Sequence, residues 1–201
     1  MKENKKDILE KIAKQSKKGN KFESMVLNLA LQKLDSENFQ MEDKAVLTAD
    51  GKRLVYILGD EAEVTIKDGV EVIGEMAIAK KKNLKTLHLP QGLKKIERDA
   101  LVDCDALITV TIPASVEEIE AYAFADCDAL KTVYFEKVPK ELNRKAFADC
   151  DRLHEISVPE DGVKAIRKAL HFTDGDTDFI VTGRPAEVKT TPKDKKTDKK
   201  K

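Results

Sequence analysis

The groups in this 201-residue chain that could do chemistry are three cysteines, three histidines and a set of paired aspartates. Cys104, Cys127 and Cys150 recur at a constant step of 23 residues, and each stands between two aspartates, as in Asp126-Cys127-Asp128. A zinc centre needs ligands that converge on a tetrahedron, usually from C-x-x-C spacing, whereas single cysteines at an even step make a row. A nucleophilic thiol needs a nearby cation or histidine to lower its pKa, and flanking carboxylates do the reverse. The three thiols therefore read as a ladder of small core residues that stay reduced, a use that fits a reducing compartment. The aspartates form two columns, Asp103, Asp126 and Asp149 beside Asp105, Asp128 and Asp151. Six carboxylates at even spacing could attract calcium. The simpler reading makes the first of each pair a turn residue that accepts hydrogen bonds from turn amides, and it leaves the metal set empty. His88, His154 and His171 belong to different parts of the pattern, and no G-x-G-x-x-G, P-loop, G-x-S-x-G or H-E-x-x-H occurs. With no nucleophile or acid–base set converging, neither catalysis nor a cofactor is expected.

The same step organises the whole middle of the chain. Ala77, Ala100, Ala123, Ala146 and Ala169 share one column, and Ile78, Leu101, Phe124, Phe147 and Leu170 share the next. Val64, Leu87, Val110, Val133 and Ile156 form another, as do Ile66, Leu89, Ile112, Phe135 and Val158. So many apolar columns at one period mark a repeat array, in which each unit buries its apolar edge only by stacking on its neighbours. Segments such as Val110-Thr111-Ile112 alternate apolar and polar, as strands do, and Pro90, Pro113 and Pro159 end them by removing a backbone donor. Between strands, Ile119, Ala123 and Phe124 have helix-like spacing, which predicts a short helical turn over 118–126.

Stacked strands put alternate residues on an outer face. That face carries Thr65, His88, Thr111, Tyr134 and Ser157, with Thr109 and Thr132 beside them. These seven are the candidate ligand-binding residues, Tyr134 first among them as an aromatic ring with a polar tip. Cys104, Cys127, Cys150, Phe124 and Phe147 are assigned to the structural core.

Ahead of the repeats, residues 4–18 and 22–34 have helical patterns, the second more apolar through Phe22, Met25, Val26 and Leu29. Ala45–Thr48 and Leu54–Ile57 flank Asp50-Gly51, the pattern of a hairpin. The expected organisation is a helical and hairpin cap over 1–63, four 23-residue repeats over 64–155, a degenerate fifth repeat with a C-terminal cap over 156–183, and a disordered basic tail over 184–201.

Units such as VTIPASVEEIEAYAFADCDALKT resemble the BspA-type leucine-rich repeats of bacterial and protozoan surface proteins. The shared elements are the I-P strand end, V-x-x-I, A-F-x-x-C and the leucine that follows. The resemblance covers roughly 54–172, and Phe135-Glu136-Lys137 departs from it where I-P is expected. It implies an α/β repeat solenoid, a leucine-rich-repeat right-handed superhelix with a parallel strand face. It also implies a non-catalytic recognition or adhesion module for a protein or glycan ligand at the cell surface or outside it.

Charge narrows the partners. The formal net charge is zero, but residues 1–22 hold eight Lys against three acids, and residues 184–201 hold seven Lys and one Arg against three acids. An acidic body thus lies between two basic ends, which disfavours nucleic acid at the repeats. The alternative function is accordingly a structural or assembly scaffold that acts through its basic termini. No run reaches the roughly 18 apolar residues of a membrane span. The N-terminus lacks the apolar block of an export signal, which leaves two expectations open, a chain kept in the cytosol or a sequence without its signal, the first against the location the resemblance implies. The chain is expected to be a monomer.

Overall fold

The computed structural model describes residues 3–15, 21–34, 38–171 and 180–184. It begins with strand β1 (Glu3–Asn4) and helix α1 (Lys5–Gln15). Asn4 caps the helix: its Oδ1 accepts the Asp7 N–H at 2.9 Å, while Asp7 accepts the Asn4 N–H at 3.3 Å, a reciprocal arrangement that satisfies two otherwise orphan donors. Helix α2 (Lys21–Lys33) follows, and then the antiparallel strands β2 (Asn38–Glu42), β3 (Ala45–Thr48) and β4 (Arg53–Ile57). The expected hairpin is the β3–β4 pair. Gly51 takes a φ of +73° in its turn, and the Asp50 carboxylate accepts the Thr48 hydroxyl at 2.6 Å and the Lys52 N–H at 3.0 Å. Those bonds, that from Thr48 first, hold the Asp50 carboxyl below its usual range. Ile8, Leu27, Leu31, Phe39, Val46 and Tyr56 form a separate small core under the two helices. The buried face of α2 is Val26, Leu27 and Leu31; Met25 and Leu29, expected on it, are 53% and 48% exposed. The apolar arc of α2 is wider than one sheet can cover, and packing selects one side of it.

From Glu63 the chain coils. Strand β5 (Glu63–Thr65) lies on the front, β6 (Val72–Ile73) on the back, β7 (Thr86–His88) on the front and β8 (Lys95–Ile96) on the back. The alternation continues through β9 (Thr109–Ile112), β10 (Glu118–Ile119), β11 (Thr132–Phe135), β12 (Glu141–Leu142) and β13 (Glu155–Pro159). The pairings among these coil strands are parallel and join residues 23 apart, such as Val64 with Leu87, Ile96 with Ile119 and Val133 with Ile156. The back strands extend the cap sheet through β4 and β6, giving one eight-stranded sheet, β1-β2-β3-β4-β6-β8-β10-β12. A 3-10 turn (Glu160–Gly162), helix α3 (Val163–Leu170) and strand β14 (Ile180–Arg184) close the other end. Ile166 and Leu170 of α3 are buried against the last coil. Strand β14 adds a further front strand beside β13. Arg184 therefore belongs to a strand, one residue inside the boundary expected for the tail, and residues 185–201 lie outside the described residues.

The predicted helical turn over 118–126 is absent. Glu118–Ile119 is a back strand, and turns follow it. Left-handed residues prevent a helix, two in each of the first three coils and one in the fourth: Met76, Asp99 and Tyr122 form one column, and Lys80, Asp103, Asp126 and Asp149 the other, with φ between 54° and 67°. Turns closed by three-residue bonds, such as Ala125 N–H to Tyr122 C=O at 3.1 Å, bring residues three and four apart together as a helix would. The helix-like spacing of Ile119, Ala123 and Phe124 therefore has a different cause. Aspartate tolerates the left-handed region better than most residues, which accounts for the Asp column through backbone conformation rather than amide capping. Successive turns are also bonded to each other, as in Leu101 N–H to Ala123 C=O and Phe124 N–H to Ala146 C=O, each 2.8 Å. The alanines at this approach, Ala77, Ala100, Ala123 and Ala146, are fully buried.

The cysteines satisfy carbonyls of the preceding coil. Cys104 donates to Ile78 C=O at 3.2 Å, Cys127 to Leu101 at 3.3 Å and Cys150 to Phe124 at 2.9 Å. In the first coil Lys81 holds this column position; it is buried, with Nζ 4.6 Å from the Tyr56 ring centre and 3.4 Å from its hydroxyl, joining the cap to the repeats. Phe124 stacks on Phe147 at 5.3 Å, and Phe135 meets the same ring edge-on at 6.3 Å. Each fully buried residue of the Val110–Val133–Ile156 column is worth about 1.5–3 kcal/mol.

Two predictions follow from the turns. Partial desolvation and then the carboxylates of Asp149, Asp103, Asp128 and Asp105 raise the Asp126 pKa. The folded chain thus holds this proton more tightly than the unfolded one, so stability is greatest below the unfolded pKa and falls as pH rises through the folded one. Asp126→Asn, which keeps left-handed tolerance, should flatten that fall and add a few tenths of a kcal/mol at neutral pH, while Asp126→Val should cost about 1–2 kcal/mol. Urea denaturation at several pH values checks both, and a stabilising valine would refute the backbone account. The second concerns the thiols. Hydrogen bonding with Cys104 and Cys150, together with burial, pushes Cys127 far above the ordinary thiol range, while a hydrogen bond with Cys127 draws the half-buried Cys150 below it. Iodoacetamide should label Cys150 first and reach Cys104 and Cys127 only on unfolding, as peptide mass mapping will show; equal labelling of the native chain would contradict the ladder.

Candidate functional site

The front strands do not form one sheet. β5 and β7 pair with each other, β9 joins β11, β13 and β14, and no strand pairing connects β7 to β9. The back row is continuous across the same two coils through β8 and β10. The seam is therefore confined to the front face. A cleft of about 340 Å³ opens along it, lined by Lys85, Thr86, His88, Gln91, Thr109 and Thr111. In a parallel pair, alternate residues turn their N–H and C=O to opposite sides. The bonds β7 makes to β5 use Thr86 and His88, and those β11 makes to β9 use Ile108 and Ile112. Leu87 and, across the seam, Thr109 and Thr111 consequently turn their peptide groups toward the cleft.

Of the seven residues expected to bind a ligand, Thr65, His88, Thr109 and Thr111 are exposed, and the last three line this cleft. His88 is held from the next strand by Glu63, with Nε2 3.2 Å from Oε1. One rim is tied by Glu136, which accepts from the Gln91 side chain at 3.3 Å and from the Ala114 N–H at 3.0 Å.

The other three residues lie where a ligand has less access. Thr132 and Ser157 are buried, at 7% and 2% exposure, and Tyr134 is half-buried. The cause is β14. Its Thr182 pairs with Ser157 in the ladder, and the Thr182 and Thr132 hydroxyls both donate to Glu155, at 3.2 and 3.4 Å. Arg184 lays its guanidinium 5.5 Å from the Tyr134 ring centre and donates to Phe135 C=O at 2.7 Å. Arg184 escapes the column pattern because α3 replaces the usual turns, so β13 and β14 pair residues 25 apart, as in Ile156 with Val181. Lys85 and Gln91 were also missed, since only the seam between β7 and β9 brings them to the cleft.

The aspartate columns are neutralised at one end. Lys80 lies 3.1 Å from Asp103, and Lys82 lies 3.0 Å from Asp103 and 2.6 Å from Asp105. Burial opposes the Asp103 charge, but Lys82 and Lys80 outweigh it and hold the carboxyl below its usual range. Among the described residues, no three His, Cys, Asp or Glu side chains are arranged to hold a metal ion. No described helix is long and apolar enough to cross a membrane.

A family model described as the BspA-type leucine-rich repeat region matches residues 60–173 in six copies. A leucine-rich repeat protein from Eubacterium ventriosum has a similar solved structure, with a TM-score of 0.55, 20% identity, and coverage of 73% of this chain and 40% of that one. A leucine-rich cell surface protein from Faecalibacterium prausnitzii is also similar, with a TM-score of 0.49, 19% identity, and coverage of 68% and 43%. This chain thus spans about two fifths of the length of both. No curated protein is similar enough in sequence to count as a match. The family match over more than half the chain, together with parallel strands stacked at a 23-residue register, places this chain in the BspA-type leucine-rich repeat family.

Proposed function

We propose that the chain is a non-catalytic recognition module that captures a protein or glycan partner on its front strand face, centred on the cleft between β7 and β9. Repeats of this family generally serve in protein interaction or as surface modules. The observation that carries the proposal is the seam. Everywhere else a front strand meets the next in a ladder, and here two strand edges and the exposed groups of Thr86, His88, Thr109 and Thr111 border an open cleft. Such a cleft supplies hydroxyl, imidazole and peptide donors and acceptors, and so suits a polar partner surface. The absence of catalysis in this reading rests on the thiols, two of which are buried and all of which donate to carbonyls of the preceding coil.

The test is capture by immobilised protein from lysates and from a glycan library. The His88→Ala, Thr109→Ala, Thr111→Ala triple variant should lose at least about tenfold in affinity, the scale of one or two hydrogen bonds, with its melting temperature unchanged. Tyr134→Ala should retain capture, because Arg184 already covers that ring. Undiminished capture by the triple variant would remove the cleft from the proposal. Loss of capture on deleting 185–201 alone would move the function to the basic end.

A further inference from the structure

The two rows of strands are closed differently at the N-terminal end. On the back, β4 of the cap pairs with β6, so the back sheet has no free edge there. On the front, among the described residues, β5 has one neighbour, β7, and its other side is a sheet edge. Behind that edge, between the cap hairpin and the first coil, lies a cavity of about 390 Å³. Its apolar lining, which includes Leu47, Leu54, Ile57, Val64, Ile66 and Val70, is the end of the main core. The cap thus pairs with the back half of the core's end, while the front half meets the cavity without a paired strand, these six residues being no more than 8% exposed.

We propose that this opening is a second binding site, separate from the front cleft but touching it through the Glu63–His88 contact, for an extended peptide segment of a partner protein that adds a strand to β5. Three features specify the occupant. The first is the backbone. Val64 turns its peptide groups to β7, so Glu63 and Thr65 present theirs to the open edge. An acyl chain could fill the cavity but would make no use of that row, whereas a strand uses both. The second is alternation. A guest residue level with Val64 points its side chain into the cavity, and its two neighbours point outward beside Glu63 and Thr65. The guest therefore carries a large aliphatic or aromatic residue between two solvent-facing ones. The third is charge. The rim holds Glu42, Asp43, Glu61 and Glu63 against only Lys44 and Lys67. Lys67 is 2.7 Å from Glu42, and Lys44 pairs with Glu61, each pair reaching from the β2–β3 corner to the first coil. An excess of acid remains after these pairs, so the outward guest residues are Lys or Arg. Exposed pairs of this kind contribute little and rearrange readily, so they do not bar entry.

The probe is the peptide acetyl-Lys-Leu-Lys-Val-Lys-Leu-Lys-amide, fluorescently labelled and titrated against the full chain. Saturable binding is expected, with slowed hydrogen exchange at the Thr65 and Glu63 amides. N-methylation of the alternate peptide amides that face β5 should weaken binding about tenfold or more, since it removes main-chain bonds and keeps every side chain. Replacing the lysines with glutamates should abolish binding, and Glu63→Lys should weaken the original probe severalfold without moving the melting temperature. The proposal is overturned if the probe does not bind, if the N-methylated peptide binds equally well, or if the Thr65 amide exchanges unchanged in the complex. Occupation of the cavity by dodecanoate in competition with the probe would assign it to an acyl chain. Concentration-dependent self-association blocked by Glu63→Lys would assign it to a second copy of the chain. Either result would also overturn the proposal.

Discussion

The structure depends on the pairing of each coil's backbone with the next at a fixed distance along the chain. Val64 with Leu87, Val110 with Val133 and Ile96 with Ile119 are all pairs 23 residues apart, on the front and on the back alike. Because the repeat length equals the register, like side chains stack on like, and each apolar column becomes one continuous wall of the core. A coil alone could not offset the entropy of ordering its turns; its neighbours supply the apolar contacts and the backbone partners together.

The turns are the costly part of such a coil. The first three coils each have two left-handed residues and the fourth has one, Asp149, and successive turns bring small side chains against the backbone of the next. Aspartate at Asp103, Asp126 and Asp149 lowers the conformational cost but stacks like charges, relieved at one end by Lys80 and Lys82. The cysteines meet a second need, since each supplies a donor to a carbonyl that the turn leaves facing inward. The residues that first suggest chemistry, thiols framed by carboxylates, are thereby accounted for by backbone conformation and hydrogen bonding in the turn.

The ends are staggered. The cap extends the back sheet through β4, and β14 extends the front sheet beyond β13. The front row consequently starts at an open edge on β5, while toward β14 its outer face is covered at Tyr134 by Arg184. Combined with the seam between β7 and β9, this leaves the accessible part of the strand face in the first three coils, around Thr65, His88, Thr109 and Thr111.

The sequence by itself determined the repeat, its period, the parallel stack, the apolar columns and the hairpin at Asp50-Gly51. These follow from alternation and equal spacing, properties that each residue carries into every coil. It also placed His88, Thr109 and Thr111 on the outer face through strand alternation alone. Only the tertiary structure decided that Ile119, Ala123 and Phe124 belong to a strand and turns, because three-residue turns and helices share their spacing. Only it showed that Ser157 and Thr132 are buried: α3 shifts the last pairing to 25 residues, which sets Thr182 beside Ser157 and on the same Glu155 carboxylate as Thr132. The seam between β7 and β9 has no sequence mark either: Leu87 and Val110 keep the column step, and whether two strands in register close their ladder is settled by packing between coils.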